Sequence, residues 1–190
     1  MNEIVAIGFM TAADSQVGIL FEFVERVRRE AAAVEGFKSA SLWMDLDLPE
    51  KYGIFLHFSD LQATRETVAL ISETGILDDA LLDLENPPDI RHIQVLLPYG
   101  RSIGELRNGE ALSISIRTAD PGHGPELMDD VVSIFQGLKY IEGFLGAVVG
   151  TNTALDDEVV AIALWTDRHP FDTSVQRGSF YEIRLFERIA

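Results

Sequence analysis

A recurrence at an offset of 107 residues limits what this chain can fold into more than any other feature. Glu35-Gly36-Phe37 returns as Glu142-Gly143-Phe144. The register extends without a gap on both sides. Thr11-Ala12 falls on Thr118-Ala119, and Val5, Ile7 and Phe9 fall on Leu112, Ile114 and Ile116. Leu20, Val24 and Val34 meet Leu127, Val131 and Ile141. Further on, Leu48 meets Leu155, Phe58 meets Trp165, and Asp60 meets Asp167. Identical residues are few, but hydrophobic positions coincide throughout. An ungapped match of pattern across several elements points to two copies of one structural unit.

Hydrophobic periodicity predicts β-α-β-β and a later strand in each copy. In the first, a strand over Ile4–Met10 precedes a helix from about Val17 to Val34, with Asp14 or Ser15 as N-cap. Leu20, Phe23, Val24 and Val27 form the apolar stripe of that helix, and Gly36 stops it. Strands follow over Lys38–Met44 and Tyr52–Phe58, joined by an acidic turn. The matching elements are Ala111–Arg117, Pro125–Ile141, Leu145–Gly150 and Val159–Trp165. Pro125 suits a first helical turn, where its missing N–H costs nothing. The copies then diverge. The first carries extra residues, roughly Ala69–Pro88, with a helical pattern through Leu70, Ile71, Ile76, Leu77, Leu81 and Leu82. It ends in a strand, Ile90–Leu97, whereas the second runs almost directly into Phe180–Arg188. Residues 1–97 and 111–190 are therefore read as the two repeats, with a glycine-containing linker over 98–110.

Strand Tyr52–Phe58 is apolar on both faces: Tyr52, Ile54, Leu56 and Phe58 on one, Gly53 and Phe55 with His57 on the other. Helices cover one face of such a sheet, and the other asks for a second sheet. The repeat supplies it. The expected class is α+β: two ferredoxin-like βαββ(α)β repeats packed sheet to sheet as a fused barrel. Such a chain needs no partner copy to close its barrel, although a homo-oligomer beyond this internal pseudo-dimer is compatible with it.

Composition narrows the function classes. The 190 residues carry 15 basic and 31 acidic side chains, a net charge of −16. That balance argues against nucleic acid and anionic membrane as partners, since both are bound through Lys and Arg. The absence of cysteine excludes disulfides, thiolate metal sites and cysteine nucleophiles. The N-terminus has an acid at Glu3 and no cationic n-region, and no apolar run approaches the roughly 20 residues of a membrane span. A soluble cytoplasmic protein is the expectation. No P-loop, GxGxxG or G-x-S-x-G pattern occurs, and four scattered histidines lack metal-ligand spacing, so no metal is expected.

The succession of helix, Glu-Gly-Phe, small residue, strand, acidic turn, apolar strand ending in an aromatic, then Asp resembles a known family. In the second copy it reads Glu142-Gly143-Phe144-Leu145-Gly146, Asp156-Asp157-Glu158, Val159–Trp165, Thr166-Asp167 and Phe171. In the first it reads Glu35-Gly36-Phe37, Tyr52–Phe58 and Ser59-Asp60. This resembles the antibiotic biosynthesis monooxygenase-like proteins of the dimeric α/β barrel superfamily, as a tandem fused form. The resemblance implies a ligand pocket between helices and sheet. It implies cofactor-independent oxygenases of phenolic or quinol-like polyketides. It also covers heme-degrading oxygenases, which pair an Asn on strand 1, a Trp ending strand 3 and a downstream His. Only Trp165 matches that heme pattern. Arg117 or Met10 stands near the Asn position, and His169 follows too soon. No cofactor is therefore expected.

Several residues carry the candidate chemistry. His57 and His92 interrupt apolar strands. Each is either a satisfied core histidine or a base that deprotonates a phenol to an electron-rich anion. The first strands differ on one face, with Ala6, Gly8 and Met10 in one copy and Ser113, Ser115 and Arg117 in the other. The second copy thus offers a polar pocket in which Arg117 could hold an anionic oxygen, unless it pairs with a nearby acid. Trp165 and Trp43 are core residues or walls of a pocket for an aromatic molecule. His123 and His169 read as surface loop residues. The expected ligand is a small apolar or aromatic molecule. Three readings follow: a cofactor-independent monooxygenase, a non-catalytic ligand-binding or stress-related module, and a heme protein of the same superfamily.

Overall fold

The computed structural model describes residues 3–81, 86–175 and 182–190. Its strands are β1 (Ile4–Thr11), β2 (Phe37–Asp45), β3 (Lys51–Phe58), β4 (Asp89–Gly100), β5 (Ala111–Thr118), β6 (Phe144–Asn152), β7 (Leu155–Trp165) and β8 (Ile183–Arg188). They close into one antiparallel barrel in the order β1-β3-β2-β8-β5-β7-β6-β4. Each half supplies four adjacent strands. Two seams join the halves, β2 to β8 and β4 to β6. The barrel therefore closes within one chain.

The helices are α1 (Val17–Ala31), α2 (Leu61–Glu73), α3 (Ile76–Leu81), α4 (Gly124–Leu138) and α5 (Arg168–Ser174). The α1 stripe Leu20, Phe23, Val24, Val27 and Ala31 is buried, as its spacing requires. Asp14 and Ser15 do not cap α1. They belong to a short 3-10 turn, and Gln16 precedes the helix without a side-chain cap. The helical stretch after β3 begins at Leu61 rather than near Ala69, because Asp60 caps it by accepting from the Ala63 N–H at 2.9 Å. Leu82 and the start of the stretch Phe180–Arg188 lie outside the described residues.

The same contacts recur 107 residues apart. Ser59 N–H bonds the Gly36 carbonyl at 2.8 Å, and Thr166 N–H bonds the Gly143 carbonyl at 2.8 Å. Ala12 N–H reaches the Glu50 carbonyl at 3.0 Å, and Ala119 N–H reaches that of Asp157 at 2.9 Å. Asp167 caps α5 as Asp60 caps α2. Gly36 and Gly143 stand at φ of 89° and 87°, which side chains rarely adopt.

Alternation along the strands gives two environments. One side faces the lumen, where Ile7, Phe9, Trp43, Phe55, Ile162 and Phe186 belong to a single buried cluster. Ile103 and Leu106 of the linker join that cluster, so the linker plugs one barrel end. The other side faces the helices: α1, α2 and α3 over the first half, α4 and α5 over the second. The β4–β6 seam is tight. A Cβ on Gly150 would come 2.1 Å from the Gln94 carbonyl oxygen.

Candidate functional site

The period of two separates the candidate histidines. His57 pairs in register with Val5 and lies on the lumen side of β3, whereas His92 pairs with Ala6 and faces the helices. On the helix side of the first half is a cavity of about 180 Å³. Ala6, Gly8 and Met10 of β1 and Ile54 and Leu56 of β3 form its floor. Leu20 and Phe23 of α1, Ile71 of α2 and Leu77 of α3 close it from above. Val68 and Ile90 line it while remaining 44% and 51% exposed, so they form its rim. His92 is the one titratable side chain among the described lining residues. Burial pushes its pKa below the usual 6.5, which keeps the imidazole neutral at pH 7.

The space exists because the β1 face is small. Gly8 contributes nothing above its backbone. A Cβ there would meet Met10 Cε at 3.6 Å and Pro88 Cβ at 3.9 Å, ordinary contact distances. An apolar cavity of about 150 Å³ binds benzene. The cavity described here, at about 180 Å³, has room for one substituted ring. A fused second ring needs the rim or the flexible Met10 to give.

The matching face of the second half is occupied by side chains. Trp165 is fully buried, and its indole N–H donates to Ser113 Oγ at 3.0 Å. Phe144 and Phe171 pack edge-on against it at 5.5 and 6.0 Å. Ser115 is buried, and Val131 of α4 packs with Val149, Val159 and Ala161. The polar face that sequence singled out as a pocket thus supports a tryptophan at Ser113, while the cavity lies under the apolar face of the other half. Trp43 is a lumen residue whose indole N–H donates to Ser41 Oγ at 2.8 Å. None of Trp43, Trp165, Ser113, Ser115 and Arg117 lines the His92 cavity.

His57 borders a separate cleft of about 340 Å³ at the plugged end of the barrel. Its Nε2 lies 3.0 Å from Glu3 Oε2, and Lys38 Nζ bonds the same carboxylate. Burial lowers the His57 pKa, opposed by the Glu3 hydrogen bond and aided by the Lys38 charge. Burial alone would raise Glu3, but the bonds from Lys38 and His57 outweigh it and hold it below its usual range. At the opposite end, buried Glu158 pairs with Arg91 at 3.2 Å and accepts from Asn152 at 2.8 Å. Asp45 pairs with Arg184 at 3.0 Å, and the Arg184 guanidinium lies 4.8 Å from the Phe9 and Phe186 ring centres. Sequence reading missed Glu3, Arg91, Glu158 and Arg184. Their signal was the alternation that places Arg91 and Arg184 on lumen positions.

The described residues of the two helix–sheet spaces do not fit heme. Trp165 is enclosed by Ser113, Phe144 and Phe171, and the His92 cavity, sized for one or two rings, does not admit a macrocycle of four pyrroles. No helix among the described residues is long and apolar enough to cross a membrane.

No family model matches the sequence, and no curated protein matches it. Solved structures do resemble the fold. A candidate monooxygenase from Fusobacterium nucleatum subsp. nucleatum ATCC 25586 aligns with a TM-score of 0.75, over 100% of this chain and 93% of its own, at 12% identity. An anthrone oxidase-like protein aligns with a TM-score of 0.73, over 100% and 92%, at 14% identity. A ferredoxin-fold protein related to antibiotic biosynthesis monooxygenases, from Listeria monocytogenes 4b F2365, aligns at 0.56, over 100% and 96%, with 9% identity. At these identities the likeness is one of fold. The chain has the α+β fold of a fused dimeric α/β barrel, shared along its whole length with proteins described as monooxygenase-like.

Proposed function

We propose that this chain binds a small, mainly apolar phenol in the first-half cavity and that His92 takes its proton so that dioxygen can oxidise the bound anion. One observation carries the reading: an apolar cavity of about 180 Å³ whose described lining holds a single imidazole. A neutral imidazole accepts a proton, and the imidazolium then stays beside the anion it created, offsetting the cost of charge in an apolar site. A simple phenol near pKa 10 gives its proton to a histidine below 6.5 only uphill, by about 5 kcal/mol or more. Substrates whose anion spreads over fused rings are therefore favoured.

The solved anthrone oxidase-like protein suggests the probe. Scaled to this cavity, the probe is 1-naphthol, a two-ring phenol that would lose its O–H and C4–H hydrogens as C4 becomes a carbonyl. The two hydrogens leave with one oxygen atom as water, the other oxygen stays on carbon, and no cofactor enters the balance. The test is dioxygen uptake with 1-naphthol, with 1,4-naphthoquinone as product. His92→Gln should lower the rate by roughly 10² to 10⁴. Unchanged product formation in that variant would sink the role of His92. A second reading is non-catalytic binding, favoured by the lack of a second polar side chain in the described lining. Tight binding of 1-naphthol without oxygen uptake would select it.

A further inference from the structure

We propose that the cleft around His57 is a second ligand site, built for a small organic carboxylate and independent of the reading above. Its polar side carries more hydrogen-bond donors than its internal partners use. Lys38 spends a contact on Glu3, and Arg101 bonds Glu110 through one nitrogen at 3.0 Å. An ammonium has three donors and a guanidinium five. Ser39 is the register partner of His57 and lines the same cleft. Its hydroxyl oxygen is buried without a hydrogen-bond partner. A buried hydroxyl in that state is costly unless a ligand group meets it. Val5, Val95 and Val148 form an apolar back wall. Donors on one side and methyl groups on the other suit a carboxylate with a short hydrocarbon or aromatic body.

His57 sets the charge balance. Its side chain is only 7% exposed. With Nε2–H donating to Glu3, Nδ1 keeps its lone pair. The charged groups lining the cleft around it are Glu3 before β1, Lys38 on β2, and Arg101 and Glu105 in the linker. These four sum to neutral, and Glu110, bonded to Arg101, adds one negative charge beside them. An arriving carboxylate makes the cleft more negative, which raises the affinity of His57 for a proton. Binding is therefore coupled to proton uptake, and it tightens as pH falls toward 6.

The probe is benzoate, titrated calorimetrically at pH 7 in two buffers of different ionisation enthalpy. The expected result is one site with proton uptake. Arg101→Gln, at an exposed position, should weaken benzoate about tenfold. His57→Gln should abolish the proton uptake. Gly8→Leu, which fills the helix–sheet cavity, should leave benzoate binding in place while naphthol binding is lost. No binding, or binding indifferent to Arg101→Gln, overturns the proposal. Loss of benzoate binding in Gly8→Leu would place the acid in the His92 cavity and overturn it as well.

Discussion

Filling the His92 cavity should make the protein more stable and less able to bind. Gly8→Leu is the perturbation. Gly8 does not stand at positive φ, and a Cβ there meets only side-chain atoms at 3.6 Å or beyond, so the backbone accepts a substituent. Relieving a strand glycine contributes about 0.5–1 kcal/mol. Burying a leucine in the empty space contributes about 2 kcal/mol, less about 1 kcal/mol for ordering its rotamers. The net gain is about 1.5–2 kcal/mol, or about 3–8 °C in Tm for a chain of this length. The cavity of about 180 Å³ is then mostly occupied, and a one- or two-ring ligand has nowhere to sit. The assay is urea denaturation beside a fluorescence titration with 1-naphthol. A stabilised variant that has lost the ligand is the predicted outcome, the trade expected when a hole is kept for function. Destabilisation by more than about 1 kcal/mol, with naphthol binding retained, would refute the reasoning.

Three further outcomes follow from the same geometry. His57 and His92 both titrate below 6.5, so the unfolded chain takes up protons first as the solution is acidified. Stability should be level above about pH 7.5 and fall below 6.5, by at most about 1.4 kcal/mol per pH unit per histidine. Glu3, held below its usual 4.5, extends the loss further into acid, and denaturation midpoints across pH 4–8 check the profile. Trp165→Phe removes the donor to Ser113 and should cost about 1–3 kcal/mol while leaving naphthol affinity unchanged, which would mark that tryptophan as a core residue. Gly150→Val drives a side chain into the Gln94 carbonyl at the β4–β6 seam and should cost more than about 4 kcal/mol. A Gly150→Val protein with the parent urea midpoint would show that the seam is not closed as described.

The sequence carried the fold because its signals are local and repeated. Leu20, Phe23, Val24 and Val27 mark a buried helix face by spacing alone, and the Glu-Gly-Phe turn appears twice with the same hydrogen bonds. The site was less legible. Ala6, Gly8 and Met10 look like a bland strand face beside Ser113, Ser115 and Arg117. Which of two helix–sheet spaces stays open depends on three helices meeting over small side chains, and on Trp165 filling the other. Those are contacts distant in sequence. The buried charges were hidden for a related reason. Alternation says that Arg91, Arg184 and His57 face inward, but not that Glu158, Asp45 and Glu3, distant in sequence, await them on or beside nearby strands.

The central claim is that the phenol enters the first-half helix–sheet cavity rather than the barrel lumen. A methyl NMR titration of isoleucine-labelled protein with 1-naphthol tests it most directly. Ile54, Ile71 and Ile90 line that cavity, whereas Ile114 and Ile162 belong to the lumen cluster. The account predicts saturable shifts at Ile54, Ile71 and Ile90, with Ile114 and Ile162 unmoved. Shifts confined to Ile114 and Ile162, or no shifts at saturating naphthol, would contradict it.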